Sequence, residues 1–179
     1  METKAEGPGV QDVQTVTAEG VPTVPTIEGV ELRTPPIHID HRGALFEIYN
    51  GDPELWPEPA VYAYADTIFP GQIKGWNQHA TKIDRYTLVY GELLVVLYDG
   101  RPDSPTQGVS QQITMSTRGT RQIRIPAGVW HLLLNLRQEE GHLVNLPTER
   151  YNHAAPDRKL LPWDTDQIPV DVKALLPKF

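Results

Sequence analysis

The region 71–135 constrains the fold of this chain most strongly, because it contains two strand-turn-strand patterns with polar side chains at fixed spacings. In the first pattern Asn77 and His79 are two residues apart, and alternate residues of a strand point to the same face of a sheet. In the second, a Pro-Ala-Gly turn precedes a strand that carries His131 and Asn135, four residues apart. Polar side chains aimed inward between apolar neighbours indicate a pocket enclosed by strands.

The composition fits one domain built from short strands. The chain has 179 residues with 17 Pro and 14 Gly, which suits many turns and is too short for two ordinary domains. A net charge of −7 argues against nucleic acid or an anionic membrane as partner. No cysteine is present, so disulfides, thiolate zinc sites and cysteine nucleophiles are excluded. No apolar stretch has the length of a signal peptide core or a membrane span, which predicts a cytoplasmic protein.

The sequence divides into an arm and a domain. Residues 1–25 mix Gly, Thr, Glu, Pro and Val without a period, which predicts a flexible N-terminal arm. This arm is either a plain disordered leader or a segment that lies across a partner subunit. Residues 26–179 read as one domain, in which the Pro-punctuated tail holds a short helix over 170–176.

The paired motifs of region 71–135 resemble those of cupins. The second motif, Pro-x-Gly-x-x-His-x-x-x-Asn, is intact, whereas the first has Asn77 where His is usual and Asp84 where Glu is usual. The resemblance implies an all-β domain, a cupin-type jelly roll or double-stranded β-barrel with its pocket inside.

Two further strings narrow the resemblance to one branch. Asp-x-Arg-x-x-Ser-Pro-Thr-x-Gly begins at Asp99, and Asp-x-Arg-Gly-x-x-x-Glu runs from Asp40 to Glu47. Together with the second cupin motif they are similar to the dTDP-4-dehydrorhamnose 3,5-epimerase family. The resemblance implies a nucleotide-linked 4-keto-6-deoxy sugar as substrate, epimerised by proton abstraction next to the carbonyl without a cofactor. It also implies a homodimer that pairs through edge strands.

The resemblance implies altered catalytic positions in this chain. The family's base, a His after Arg-Gly-Leu, falls on Asn77, which cannot take a proton at neutral pH. The family's proton-donating Tyr falls on Asn145, and the Asp that supports its base falls on Thr165. Lys74 keeps a positive charge in place of the family's Arg, without the fork that Arg presents to a phosphate.

A rearranged set of groups would restore the chemistry. His79 lies on the same strand face as Asn77 and is the candidate base, with Asp84 orienting its ring and Tyr151 donating a proton from the opposite side. The predicted substrate-binding residues are Arg42, Glu47, Lys74, Asn77, His131 and Asn145.

Two alternatives stay open from the sequence. The chain could be a catalytically silent homologue that binds a sugar nucleotide. It could instead be a metal-dependent cupin acting on another small molecule, with one divalent metal ion held by His79, Asp84 and His131, because two His and a carboxylate are a common ligand set.

Overall fold

The computed structural model describes residues 13–19, 23–119 and 121–176. Residues 1–12 and 20–22, most of the predicted arm, lie outside the described residues. Over the described ranges the chain forms twelve strands, numbered β1 to β12 in chain order, and one 3₁₀ helix, Val172–Leu175. The strands are Glu31–Arg33, Ile37–Asp40, Gly43–Phe46, Tyr64–Ile68, Ile73–Gln78, Asp84–Tyr90, Glu92–Asp99, Ser110–Ser116, Gln122–Ile125, Val129–Leu134, Gly141–Asn145 and Lys159–Leu160.

Ten of these strands form two five-stranded sheets. The first has the order β1-β9-β6-β11-β4 and the second the order β12-β5-β10-β7-β8, with antiparallel pairing throughout. Consecutive strands such as β5 and β6 lie in different sheets, which is the crossing pattern of a jelly roll. The all-β prediction is therefore confirmed. Strands β2 and β3 pair only with each other, as a separate hairpin.

The core lies between the two sheets. Leu88 and Leu143 of the first sheet belong to the same buried cluster as Val95, Leu97 and Leu133 of the second. Alternate residues of each strand point into this cluster, and each fully buried aliphatic side chain contributes roughly 1.5–3 kcal/mol. The sheets are held face to face by this apolar layer.

The tail covers the outer face of the second sheet. Trp76 of β5 and Leu132 of β10 pack against Ile168 and Val172 in a second buried cluster. The helix predicted over 170–176 is a single 3₁₀ turn, capped by the Asp171 side chain, which accepts a hydrogen bond from the Ala174 N–H at 3.1 Å. In the described part of the chain no helix is long and apolar enough to cross a membrane.

Strand β5 contains a bulge at Gly75, next to the residues that contact the outer cluster and the inner pocket. His131 pairs with Asn77, but Leu133 pairs with Lys74, so β5 has one residue more than β10 across this interval. Gly75 lies in the bulge with φ of +121°, and a Cβ there would be 2.7 Å from the His131 carbonyl oxygen. Trp76 lies in the outer cluster and Asn77 borders the inner pocket, while the bulge places Lys74 opposite Leu133 on the inner side.

Candidate active site

A polar pocket of about 420 Å³ opens at one end of the sandwich. The inner face of β6 explains the position of the pocket. Asp84 and Tyr86 precede Leu88 on that face, so the face is polar at the pocket and becomes apolar toward the core. The pocket is lined by Tyr62, Tyr64, Asp66, Asn77, His79, Lys82, Asp84, Tyr86, Tyr151 and Arg158.

Asp84 is the buried charge at the centre of this site. Its side chain is 1% exposed, and its Oδ2 lies 3.2 Å from His79 Nε2 and 3.4 Å from His131 Nε2. Burial alone would raise the pKa of Asp84. The hydrogen bond from His79 and the positive charge of neighbouring side chains, Lys82 among them, lower this pKa by more than burial raises it. The pKa of Asp84 is therefore well below its usual range, and the group is a carboxylate at neutral pH.

Both histidine rings are oriented by backbone carbonyls. His79 Nδ1 contacts the Asp157 carbonyl oxygen, and His131 Nδ1 lies 3.3 Å from the Val129 carbonyl oxygen. The opposite nitrogen, Nε2, of each ring is thereby aimed at Asp84. Burial lowers the pKa of His131 to about 4, so this ring is neutral near pH 7, and its buried Nε2 has no aligned hydrogen-bond partner among the described residues.

A second group of polar side chains completes the surroundings of Asp84. Asn145 donates from Nδ2 to Asp84 Oδ1 at 2.8 Å and contacts the Tyr64 hydroxyl at 2.8 Å. Tyr86 donates its hydroxyl to Asp84 Oδ2 at 3.3 Å. Asn145 pairs with Tyr64 on β4 and with Tyr86 on β6, so the three side chains form one row across the sheet. Burial raises the pKa of Tyr64 to about 12 and that of Tyr86 well above its usual value, so both stay protonated.

Lys82 is a nearly buried cation of this pocket. Its side chain is 10% exposed, and Nζ lies 3.9 Å from Asp84 Oδ1. Lys74, which the sequence predicts as a substrate-binding cation, is 46% exposed and paired with Asp66, a residue that lines the same pocket. The bulge pairs Lys74 with Leu133 of the inner cluster, so Lys74 lies on the inner side of β5, and its role in binding stays a prediction.

The segment 147–158, here called the strap, borders the pocket on the side of Tyr151 and Arg158. Tyr151 is 38% exposed, and its ring packs edge-on against His153 with 4.7 Å between ring centroids. His79 and Tyr151, the predicted base and proton donor, thus border one pocket.

Other predicted residues lie away from the pocket. Arg42 is in the β2–β3 turn, 78% exposed and paired with Asp40, and Glu47 borders a separate cavity of about 330 Å³. Asn135 donates to the Ile68 and Glu139 carbonyl oxygens at 2.8 and 2.7 Å, so it fastens the end of β10 and does not line the pocket. Thr165 lies in a groove of the tail.

The sequence did not predict seven residues of the site: Tyr62, Tyr64, Asp66, Lys82, Tyr86, Asp157 and Arg158. Tyr86 could have been found, since it lies two residues after Asp84 and so shares its strand face. The pairing of Tyr64 with Asn145 and the contact of Asp157 with His79 join residues 81 and 78 positions apart, and no local pattern indicates them.

Comparison with known proteins gives the family. Residues 25–178 match the family model described as dTDP-4-dehydrorhamnose 3,5-epimerase. The chain is 33% identical over 142 residues to the probable low-salt glycan biosynthesis epimerase Agl13 of Haloferax volcanii, covering 79% of this chain and 91% of that protein. It is 31% identical over 142 residues to the spore coat polysaccharide biosynthesis protein SpsL of Bacillus subtilis, covering 79% of this chain and 93% of that protein.

Solved structures show the same fold. A dTDP sugar isomerase from Desulfovibrio desulfuricans G20 superposes with a TM-score of 0.75 at 24% identity, over 80% of this chain and 90% of that chain. ChmJ, a 3′-monoepimerase from Streptomyces bikiniensis solved with dTDP-quinovose, superposes with a TM-score of 0.74 at 21% identity, over 87% of this chain and 81% of that chain. With its jelly roll, its polar pocket and a family match over residues 25–178, the chain belongs to the dTDP-4-dehydrorhamnose 3,5-epimerase family.

Proposed function

We propose that this protein epimerises or isomerises a nucleotide-linked 4-keto-6-deoxy sugar with a rearranged acid/base set. The observation that carries the proposal is His79 Nε2, 3.2 Å from the buried Asp84 carboxylate in a pocket bordered by tyrosines. A ketone acidifies the protons on the neighbouring carbons, so epimerisation needs a base, a proton donor and a group that stabilises the enolate oxygen.

His79 is the proposed base. Neutral His79 with its proton on Nδ1, donated to the Asp157 carbonyl, has its lone pair on Nε2, and Nε2 donates to Asp84 only in the protonated ring. When Nε2 takes the proton from the sugar carbon, the C–H electron pair moves into the enolate. The Asp84 carboxylate beside Nε2 then stabilises the imidazolium. Asp84 itself is a poor base, because its pKa is held well below the usual range.

Tyr151 is the proposed proton donor, and Lys82 is the proposed partner of the enolate oxygen. Tyr151 borders the same pocket as His79 and can return a proton to the carbon from another side. Lys82 is a nearly buried cation in that pocket, where a charge interacts strongly with a developing oxyanion. Arg158 supplies a second positive group for the diphosphate of the nucleotide.

The predicted substrate-binding set divides by position. Lys74 pairs with Asp66 of the pocket lining and is proposed to contact the substrate there. Asn77 borders the pocket and is proposed to hydrogen-bond the sugar. His131 and Asn145 contact Asp84, so they are proposed to act through that carboxylate. Arg42 and Glu47 do not reach the pocket of their own chain, and the structure gives no support for their predicted role within one chain.

Hydrogen exchange tests the proposal. The protein is incubated with dTDP-4-keto-6-deoxyglucose in deuterated water, and deuterium at C3 and C5 is measured by mass spectrometry and NMR. Incorporation together with an inverted product supports the proposal. Binding of the nucleotide sugar without any incorporation contradicts it and supports the silent binding homologue.

A metal-dependent reaction is the second candidate function, and one arrangement favours it. His79 Nε2, Asp84 Oδ2 and His131 Nε2 lie within 4.8 Å of one another, and both rings direct Nδ1 to backbone carbonyls, the orientation typical of metal-binding histidines. The unpartnered Nε2 of His131 also fits a ligand. These three residues would hold one divalent ion, which when bound polarises a substrate carbonyl.

Metal titration separates the two candidates. Chelator-treated protein is titrated calorimetrically with Zn²⁺ and Mn²⁺, beside His131→Gln and the surface variant His142→Gln. Tight binding that His131→Gln abolishes, with deuterium exchange restored only by metal, supports the second candidate. Exchange by metal-free protein at the full rate contradicts it.

A homodimer and a cytoplasmic location complete the proposal. The β2–β3 hairpin extends exposed apolar side chains, with Ile39 77% and Leu45 62% exposed, which supports pairing of two copies. The location stays a prediction, which fractionation of cells that express the protein tests.

A further inference from the structure

Two loops at the mouth of the pocket are fastened together by one carboxylate. Residues 79–83 connect β5 to β6, and Asp157 lies near the end of the strap, two residues before β12. The Asp157 carboxylate accepts hydrogen bonds from the backbone N–H groups of Ala80 at 2.7 Å, Thr81 at 3.0 Å and Lys82 at 3.0 Å. It also accepts one from the Thr81 hydroxyl at 3.1 Å.

Three successive N–H groups that converge on one point make a concave anion site in the backbone. The site is filled here by the chain's own carboxylate. The N–H groups of Thr81, Ala80 and Lys82 outweigh the effect of burial and lower the pKa of Asp157 to about 2. The carboxylate therefore remains charged, and the contact remains made, at neutral pH.

The same residue also contacts the candidate base. The Asp157 carbonyl oxygen faces His79 Nδ1, the contact that directs Nε2 to Asp84. The Asp157 carboxylate thus fixes the backbone that leads from His79 to Lys82, and by holding residue 157 in place it also fixes the carbonyl oxygen that orients the His79 ring.

A second contact anchors the other end of the strap to the same loop. The Thr148 N–H donates to the Ile83 carbonyl at 3.1 Å, and the Ile83 N–H donates to the Thr148 hydroxyl at 3.0 Å. The part of the strap between these anchors carries Tyr151, and Arg158 directly follows Asp157. Both ends of the strap are therefore tied to the loop that carries His79 and Lys82.

We propose that Asp157 is a positioning residue that sets the ring orientation of His79 and holds the strap against loop 79–83. Its effect on turnover rests on the proposed function, whereas its effect on His79 and on the loop does not. Thr148 is proposed to anchor the strap without orienting the His79 ring, so substitutions at Thr148 and at Asp157 test the two roles separately.

The experiment compares Asp157→Asn, Thr148→Ala and the control Asp103→Asn, which alters an exposed aspartate that does not line the pocket. Asparagine keeps the size of the side chain but carries no charge. Its one oxygen can accept hydrogen bonds, whereas its NH₂ group cannot accept from the backbone N–H groups that the carboxylate binds. We expect Asp157→Asn to change the ring ¹⁵N shifts of His79, to speed amide exchange at residues 80–82, and to lower kcat about 100-fold with a smaller effect on KM. Thr148→Ala should leave the His79 shifts unchanged, and Asp103→Asn should alter none of these quantities.

Unchanged His79 shifts and unchanged loop exchange in Asp157→Asn would overturn the inference. If the unaltered protein exchanges no deuterium into the sugar, the proposed function fails, while the ring shifts and the loop exchange still decide the role of Asp157. If Asp157→Asn does not fold, Asp157→Glu supplies the same two readouts, because it keeps the charge but displaces it by one methylene.

Discussion

A carboxylate that is 1% exposed depends on its protein neighbours for nearly every interaction that keeps it charged, and Asp84 is in this position. Asn145 shows how the neighbours are arranged. The sequence resemblance predicts it at the position of the family's proton-donating tyrosine, and its amide donates to both Asp84 and the Tyr64 hydroxyl. From the sequence alone, Asn145 looks like the loss of a catalytic group. In the structure its side chain supports Asp84, another residue of the candidate site.

His79→Gln should lower the rate of deuterium exchange roughly 10²- to 10⁴-fold, the usual contribution of a positioned general base. Glutamine keeps most of the side-chain size but cannot take a proton. The rate is measured by NMR under saturating sugar. His142→Gln, a histidine on the outer surface paired with Glu140, is the matched control and should keep the full rate. Full exchange by His79→Gln would exclude His79 as the base.

Tyr151→Phe should separate proton removal from proton return. Without the phenol, His79 still abstracts the proton, so deuterium exchange continues while the inverted product decreases about 100-fold. The ratio of product to exchange is measured by NMR. Tyr90→Phe removes an exposed hydroxyl that donates to Glu139 at 3.0 Å and is the control. An unchanged ratio in Tyr151→Phe would assign the proton donation to another group.

At the scale of elements, the turn after β7 shows what the string from Asp99 to Gly108 does. The Asp99 carboxylate, 0% exposed, accepts from Arg101 Nε at 2.8 Å, the Ser104 hydroxyl at 2.6 Å and the Thr106 hydroxyl at 2.7 Å. Arg101 and Thr106 also bind the backbone of Glu28, so the turn fastens the segment before β1. The residues of this motif therefore stabilise the turn and the segment before β1, and other residues form the candidate active site.

Asp99→Asn should reduce the free energy of unfolding by about 3 kcal/mol at pH 7, because it disrupts a buried, charged hydrogen-bond network. Burial raises the pKa of Asp99, but the bonds from Arg101, Ser104 and Thr106 hold it below the ordinary value of 3.8. A carboxylate with a lowered folded-state pKa stabilises above the unfolded value and loses that contribution as the pH falls through the folded one.

Urea unfolding at pH 7 and below pH 3 measures this contribution. The difference between the unaltered protein and Asp99→Asn should be full at pH 7 and should shrink below pH 3.8. Asp103→Asn, in the same turn but exposed, should be neutral. A difference that does not change with pH would show that the charge of Asp99 is not what stabilises the turn.

At the scale of the whole molecule, the β2–β3 hairpin contrasts with the compact sandwich. It pairs with neither sheet, and both of its faces expose apolar side chains, including Ile39 and Leu45. A two-stranded hairpin is marginally stable by itself in water. Burial against a second copy of the chain would remove this apolar surface from water and would give the hairpin a packed face.

Ile39→Lys should therefore weaken a dimer at least about tenfold, equivalent to 1.4 kcal/mol, by placing a charge in a buried contact. Sedimentation velocity over a range of protein concentrations measures the dissociation constant. Phe69→Lys, at an exposed site in the turn before β5, is the control. A protein that sediments as a monomer at all concentrations would contradict the dimer, and a dimer unaffected by Ile39→Lys would place its interface on another surface.

The sequence by itself determined the local features of this protein. Alternation along single strands indicated the β fold and the inward position of Asn77, and the paired motifs indicated the fold type, because these signals depend on residues a few positions apart. His79 lies just past the end of β5, so its inward position depends on the loop and on the contact with Asp157. Only the tertiary structure decided which groups meet: Lys82 with Asp84, Asn145 with Tyr64, and Asp157 with His79. Strand register, the bulge at Gly75 and the path of the strap set these contacts, and each depends on pairing between segments distant in the chain.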